Sequence, residues 1–333
     1  MGLENLLSRW EMFSHFTDEQ LVLLAQCASR QRYPPNFFVV REGEETQEAY
    51  LIESGGIRIQ RKTPYGLFSL AALGPGTLFG ETSFVDRIPR SGDAVTTAET
   101  ELISLNPVAL STLMERDQKF KLALYWTFWK SLSSKLRQTN QNLSHFFAEP
   151  PPPSSVPTPK LEPAADFRVD LASKRKLFQE QKLSNLEINF LTSLSREKKF
   201  APNQVIFREG EMGNEMYVVL DGRVMISKFI PGAGEEALAF LERGGYFGEM
   251  ALIDNEPRSA DAKAHETGAV VLAISREVLE GILDIHKVSS IRLLTILSNL
   301  VASRLRELDD KIIGWFIIAG GSGISWPVPP PPA

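Results

Sequence analysis

Hydrophobic and polar residues follow two different periods along this chain, and together they predict short strands framed by helices. The strand segments are rich in Val, Ile, Phe and Tyr and are bounded by Gly or Pro. In the first half they predict strands at 37–40, 49–52, 57–61 and 68–73. In the second half they predict strands at 205–207, 215–220, 223–228 and 236–241. Several short strands separated by turns are typical of an antiparallel roll or barrel.

A helix is predicted on each side of both strand groups. Residues 17–20 and 184–187 have the Ser/Thr-x-x-Glu/Gln pattern of a capping box, which begins a helix by satisfying free backbone donors. Near the C-terminus apolar residues recur every three or four positions, as on one face of a helix. These residues are Leu294, Leu297, Val301, Leu305, Leu308 and Ile312. The predicted fold class is therefore α+β, mainly β with flanking helices.

The two halves are copies of one unit. Residues 41–44 and 208–211 are both Arg-Glu-Gly-Glu, at an offset of 167. Further on, Phe-Gly-Glu at 79–81 and 247–249 and Pro-Arg-Ser at 89–91 and 257–259 repeat at an offset of 168. The extra residue falls near the predicted hairpin loop at 231–234, where insertions are tolerated. Duplication of one fold explains this pattern.

A proline-rich segment separates the copies. Its composition cannot pack a core and favours an extended linker. We therefore predict a first domain at 1–147, a linker at 148–166, a second domain at 167–313 and a C-terminal tail at 314–333.

Composition narrows the classes of function. The 333 residues carry a net charge of -5, which does not favour nucleic-acid binding. One cysteine and four scattered histidines give no disulfide framework and no metal-ligand spacing. We find no signal peptide and no apolar stretch long enough to span a membrane, so we expect a cytoplasmic protein.

The segment at 247–260 has the chemistry of a nucleotide site. Gly248 allows the backbone to approach a ligand, and the short helix predicted after it would direct amides at an anion. Arg258 supplies a planar charged fork suited to phosphate oxygens, and Ser259 adds a hydroxyl. Glu249 can accept hydrogen bonds from sugar hydroxyls. Phosphate and ribose recognition only nine residues apart suggests a nucleotide.

These residues resemble the phosphate-binding cassette of cyclic-nucleotide-binding domains, a family that includes the catabolite activator protein and the regulatory subunits of cyclic-AMP-dependent kinase. The resemblance covers about residues 13–140 and 180–312. It implies two double-stranded β-helix (jelly-roll-like) domains, each closed by C-terminal helices. It also implies that Glu249 binds the ribose 2′-hydroxyl and Arg258 the cyclic phosphate, with Glu81 and Arg90 in the same roles in the first copy. The other implied ligand contacts are Gly80, Thr82, Ser83, Ser91, Gly248, Met250, Ala251 and Ser259.

The resemblance implies cAMP as the ligand, with cGMP as the alternative. Members of the family that prefer cGMP often have Thr directly after the cassette arginine, whereas here Ser follows both arginines. Aromatic residues on the later helices are candidates for a lid over the base. They are Tyr125, Trp126 and Trp129 for the first copy and Trp315 or Phe316 for the second. The competing interpretation is that these aromatic residues belong to the hydrophobic core or to a surface where helices pack.

The predicted function is a non-enzymatic receptor that changes shape on binding cyclic nucleotide and signals to an effector protein. It would have no catalytic residues, no metal and no cofactor besides the ligand. Helix 288–312 could form a homodimer or fold back on its own domain. A nucleotide-independent tandem scaffold and a kinase regulatory subunit remain alternatives. The absence of an Arg-Arg-x-Ser/Ala segment from the linker argues against the second.

Overall fold

The computed structural model describes residues 2–146, 164–282, 291–321 and 326. The chain forms two compact units: Met1–Leu136 with Ser298–Ala333, and Arg137–Leu297. The predicted linker lies mostly outside the described residues, as does most of the tail after residue 321 and the start of the predicted helix 288–312. The domain boundaries at 147, 166 and 313 therefore stay predictions.

The first sequence copy contains five α-helices and eight strands among its described residues. In chain order they are α1 (Leu3–Leu7), α2 (Asp18–Gln26), β1 (Ala28–Tyr33), β2 (Phe38–Val40), β3 (Ala49–Ser54), β4 (Ile57–Thr63), β5 (Gly66–Leu73), β6 (Leu78–Phe79), α3 (Glu81–Asp86), β7 (Asp93–Thr96), β8 (Thr100–Leu105), α4 (Pro107–Arg116) and α5 (Gln118–Leu143).

The second copy repeats this order with longer strands. Its described elements are β9 (Ala165–Asp166), α6 (Leu171–Glu180), α7 (Asn185–Leu194), β10 (Arg196–Phe200), β11 (Val205–Phe207), β12 (Glu215–Ile230), β13 (Gly234–Leu241), β14 (Tyr246–Phe247), α8 (Met250–Asp254), β15 (Asp261–Ser275), α9 (Arg276–Ile282) and α10 (Ile291–Ile318).

The strands of the first unit form two four-stranded antiparallel sheets. Their orders are β1-β8-β3-β6 and β2-β7-β4-β5. This is the strand order of a jelly roll, in which two Greek keys place the two sheets face to face. The core contains Tyr50, Ile52, Phe79 and Leu102. The predicted α+β class with a jelly-roll-like sheet is confirmed.

In the second unit the same roll is built from fewer, longer strands. Strand β12 covers the two predicted strands 215–220 and 223–228, and it pairs with β13, β14 and β15. Register shifts in the β12–β15 ladder, around residues 219–223, mark the bend where the first copy ends one strand and begins the next. Tyr217, Val219, Phe247 and Val271 lie in its core.

Helices α2 and α7 begin at the capping boxes that the sequence predicts. In α2 the hydroxyl of Thr17 accepts from the Gln20 amide, while the Gln20 side chain accepts from the Thr17 amide. Ser184 and Glu187 form the same capping box in α7. The apolar stripe of α10 is buried within the chain. Residues 298–318 of this helix belong to the first unit, so the alternative in which the helix folds back on its own domain is wrong for that part. A homodimer through the helix stays a prediction.

Candidate functional site

Each unit has a short helix that begins within two residues of a glycine in the left-handed conformation. Gly80 has φ +80° and precedes α3, and Gly248 has φ +77° two residues before α8. A side chain there would be strained, and it would also collide with the cassette arginine. A Cβ on Gly80 would lie 2.6 Å from Arg90 Nη1, and a Cβ on Gly248 would lie 2.6 Å from Arg258 Nη1. Glycine therefore lets the backbone turn tightly around the arginine.

The two cassette arginines are buried and bonded to backbone carbonyls. Arg90 is 5% exposed and donates to Gly80 O at 3.0 Å and to Glu48 O at 2.8 Å. Arg258 is 6% exposed and donates to Gly248 O at 2.5 Å and to Glu215 O at 2.6 Å. Each guanidinium therefore links the turn before the cassette helix to the strand beside it.

Burial and nearby rings shape the electrostatics of these arginines. Burial lowers the pKa of Arg90 and of Arg258, although nearby acidic groups oppose the shift. The guanidinium of Arg258 lies over the Phe207 ring, 4.2 Å from its centroid. Burial, followed by repulsion from Glu48, raises the pKa of the adjacent Tyr50 to about 12. Because arginine stays protonated in proteins, each unit holds a permanent positive charge beneath its cassette.

The cassette glutamates are also buried. Glu81 is fully buried, and its Oε1 accepts from the Ser131 hydroxyl at 2.7 Å and from Lys135 Nζ, both on α5. Its other oxygen, Oε2, is buried and has no hydrogen-bond partner. Glu249 is 1% exposed in the second unit. A buried carboxylate oxygen without a donor is suited to a ligand hydroxyl.

The remaining predicted contacts lie around these two charges. Ser83 is 2% exposed, and its hydroxyl accepts from Arg306 Nη2 at 3.1 Å. The Ser259 hydroxyl accepts from Asn140 Nδ2 at 3.4 Å and contacts Met250 Sδ at 3.8 Å. The Ala251 carbonyl accepts from Arg276. Thr82 and Ser91 are half-buried.

Asp254 does not pair with the cassette arginine. Arg137 Nε and Nη2 donate to its two carboxylate oxygens at 2.7 and 3.0 Å. The Asp254 carboxylate is therefore bound by Arg137. Arg258 instead donates to main-chain carbonyls, which leaves Asp254 to bind another arginine.

Two residues that were not predicted from the sequence lie against the cassette arginines on their other side. The hydroxyl of Thr46 accepts from Arg90 Nε at 3.0 Å. At the equivalent place in the second unit, a Cβ on Gly213 would lie 2.3 Å from Arg258 Cζ. The signal for both lies in the repeat, because Thr46 and Gly213 occupy the same position at the 167-residue offset.

The lid candidates lie in several environments. Trp129 is fully buried, and Trp126 packs edge-to-face on it and on His15. Phe316 contacts Tyr65 and Phe68 in the first unit. Phe316 was expected to cap the second copy, and that assignment is wrong because the end of α10 belongs to the first unit. Tyr125 is buried as well.

The comparison with known proteins places this geometry in a family. The cyclic nucleotide-binding domain family matches residues 30–117 and 197–286, together more than half of the chain. The chain belongs to this family and carries two tandem copies of its domain. Both matched ranges contain a complete cassette with its glutamate and arginine.

Individual relatives are distant. A cAMP-dependent protein kinase regulatory subunit of Mycosarcoma maydis is 23% identical over 69% of this chain and 37% of its own length. A cGMP-dependent protein kinase of Eimeria tenella is 35% identical over 30% of this chain and 10% of its own length. The chain thus spans well under half of these two relatives. Among solved structures, the regulatory domain of Toxoplasma gondii PKA with cAMP is 20% identical, with 84% of this chain and 90% of that chain covered and a TM-score of 0.33.

The part of the chain that the structure describes has neither a membrane-spanning helix nor a cluster of metal ligands. None of the described helices has the length and apolarity needed to cross a membrane. Within the same described ranges, no group of three or more His, Cys, Asp or Glu side chains is placed to hold a metal ion.

Proposed function

We propose that this protein is a receptor for a cyclic nucleotide, with one site in each unit. The observation that carries the proposal is the buried pair of opposite charges in each cassette, Glu81 with Arg90 and Glu249 with Arg258. Burial of four charged side chains is costly unless they serve structure or a ligand. The unpartnered Glu81 Oε2 supports a ligand role, because a ribose hydroxyl would supply the missing donor.

The roles of the individual residues follow from their chemistry. The arginine would bind the cyclic phosphate, and the left-handed glycine would let the first amides of the cassette helix approach it. The glutamate would accept from the ribose 2′-hydroxyl. Thr82, Ser83 and Ser91 would complete the first site, with Met250, Ala251 and Ser259 completing the second. The cassette glutamates are then accounted for by ribose binding, and we propose no catalytic step.

We propose cAMP as the ligand in preference to cGMP, because serine follows both cassette arginines. Serine is compatible with either base, so competition decides this point. Calorimetry would compare the two nucleotides on the wild-type chain under the same conditions. Tighter binding of cGMP would reverse the assignment without affecting the receptor proposal.

The test of the receptor itself uses the wild type, Arg90→Ala, Arg258→Ala and the double variant. Loss of a charged hydrogen bond costs about 1.5–3 kcal/mol, or roughly tenfold to over a hundredfold in affinity. Binding should therefore fall one site at a time, from two sites to one and then to none. Wild-type protein that binds neither nucleotide would refute the receptor proposal and leave the scaffold alternative.

A second candidate is regulation of a kinase, which the names of several relatives favour. In this case the effector would be a kinase catalytic subunit that the receptor holds without nucleotide. Immobilised full-length chain should then retain a cAMP-dependent kinase catalytic subunit, and cAMP should release it. If the kinase subunit is not retained, or if cAMP does not release it, the kinase candidate is refuted and the effector must be a different protein.

A further inference from the structure

One arginine on α10 contacts the cassette of the first unit. Arg306 donates two hydrogen bonds to the Asp86 carboxylate at the end of α3, with Nε 2.5 Å from Oδ2 and Nη2 3.2 Å from Oδ1. Asp86 is 7% exposed and Arg306 is 13% exposed. Two parallel charged hydrogen bonds in a sheltered place fix geometry as well as adding energy.

The same guanidinium also holds the loop after α3. Its Nη1 donates to Pro89 O at 2.9 Å, and its Nη2 donates to Ile88 O at 3.2 Å. Pro89 immediately precedes the cassette arginine, Arg90. Arg306 therefore ties the end of the cassette helix to the residue that leads into the phosphate-binding arginine.

The second unit repeats the arrangement with a different helix. Arg137 on α5 donates two hydrogen bonds to the Asp254 carboxylate at the end of α8. It also donates to Pro257 O at 2.6 Å. Asp254 and Pro257 are the equivalents of Asp86 and Pro89 at the 168-residue offset. Independent occurrence of one geometry in both units argues against a chance surface contact.

We infer that Arg306 and Arg137 are positioning residues of the two nucleotide sites, an inference that rests on the proposed function. Neither needs to touch the ligand. Each holds the loop that presents the cassette arginine, so the loop is ordered before the nucleotide arrives. A binding loop that is already ordered avoids part of the entropy cost of association.

Each positioning arginine contacts the cassette of the other sequence copy. Arg306 follows the second copy in sequence but serves the site of Arg90, whereas Arg137 follows the first copy and serves the site of Arg258. Two full-length single-site chains separate the effects, Arg258→Ala for the first site and Arg90→Ala for the second. Ordering one side chain costs roughly 0.5–1.5 kcal/mol, which corresponds to about a two- to tenfold change in affinity.

We expect Arg306→Gln to weaken cAMP binding about two- to tenfold in the Arg258→Ala chain and to leave the Arg90→Ala chain unchanged. Arg137→Gln should do the reverse. Glu307→Gln and Gln138→Ala are matched controls, because each lies on the same helix one residue away and is exposed. Arg306→Lys, which keeps the charge but loses the fork, should fall between wild type and Gln.

Hydrogen exchange without nucleotide gives an independent readout. Arg306→Gln should speed exchange in peptides covering 82–91 and not in those covering 250–259, and Arg137→Gln should show the opposite pattern. Equal losses at both sites would indicate general destabilisation and overturn the inference, as would unchanged or tighter binding. If wild type binds no nucleotide, the proposed function fails and the positioning role fails with it. The exchange pattern would then show separately whether the arginines hold the loops.

Discussion

Replacing Lys135 with methionine should destabilise the first unit by about 3 kcal/mol. Breaking one partner of a buried ion pair costs about 3–5 kcal/mol, because the other charge is left buried without compensation. Glu81 is fully buried, whereas the Lys135 side chain is 18% exposed, which places the expected cost at the low end. Methionine keeps the unbranched stem, so the change removes the charge with little loss of packing.

Tryptophan fluorescence can follow this effect in the first unit alone. All five tryptophans belong to that unit, at positions 10, 126, 129, 315 and 326. Urea unfolding monitored by their emission should shift to lower urea in Lys135→Met. In a double-mutant cycle, Glu81→Gln should remove most of the penalty, with a coupling energy of about 0.5–3 kcal/mol. A penalty below about 1 kcal/mol, the range of exposed pairs, would refute the claim that this ion pair is buried.

Three further predictions concern other parts of the chain. Gly248→Ala should weaken nucleotide binding at the second site at least about tenfold, because the new methyl group displaces a guanidinium that makes charged hydrogen bonds. Burial raises the pKa of Asp309 to about 7 against the opposing effects of Arg61, Arg306 and Lys135, while Asp310 adds to the rise. Only the folded state keeps this proton between about pH 4 and 7, so the stability contribution of Asp309 should fall as the pH rises through that window, and Asp309→Asn should remove this slope. Ser184→Ala should cost about 0.5–2 kcal/mol of stability by removing a helix cap.

Each of these has its own control. Gly234→Ala has similar backbone strain at φ +90° but meets no atom within 4 Å, so it should leave binding unchanged. The Asp309 comparison uses tryptophan-monitored unfolding of wild type and variant at pH 5 and pH 8, and equal slopes for the two proteins would count against it. Thr17→Ala, the matching cap of the first unit, should shift the tryptophan transition, whereas Ser184→Ala should act on circular dichroism more than on tryptophan emission. The reverse result would contradict the assignment of these caps to separate units.

The sequence anticipated the features that depend on local chemistry. Capping boxes need only four consecutive residues, and both were found where the pattern placed them. Strands rich in branched and aromatic residues were located within about two residues for β2 to β5. The unusual dihedral of Gly248 could also be inferred, because a glycine before a phosphate-binding helix has a clear physical reason.

The pairing of β1 and the partners of Lys135 and Arg306 depend on distant parts of the chain, so no local sequence pattern predicts them. Strand β1 is mostly polar and exposed, so its pairing with β8 provides the only sign that it is a strand. Lys135 and Arg306 look like ordinary solvent-facing residues of long helices. Their partners lie 54 and 220 residues away, at Glu81 and Asp86. The repeat hinted at equivalent sites, but it could not show which helix serves which cassette.

The cassette arginines make hydrogen bonds within the protein, so an alanine variant changes more than ligand binding. Arg90 has three acceptors in the protein itself: Gly80 O, Glu48 O and Thr46 Oγ1. Arg90→Ala therefore removes internal hydrogen bonds as well as a ligand contact. A buried acceptor left without a donor costs about 1–3 kcal/mol.

We therefore expect Arg90→Ala to lower the tryptophan-monitored stability of the first unit by about 2 kcal/mol, whereas Arg258→Ala should leave that transition in place. An unchanged transition in Arg90→Ala would mean that these carbonyl bonds contribute little, and any loss of binding would then belong to the ligand contact alone. If stability falls, Arg90→Lys becomes the informative variant. Lysine keeps the charge for a phosphate but cannot bridge the two carbonyls with a planar fork. Binding retained by lysine at reduced stability would separate the electrostatic role of Arg90 from its role in holding the turn.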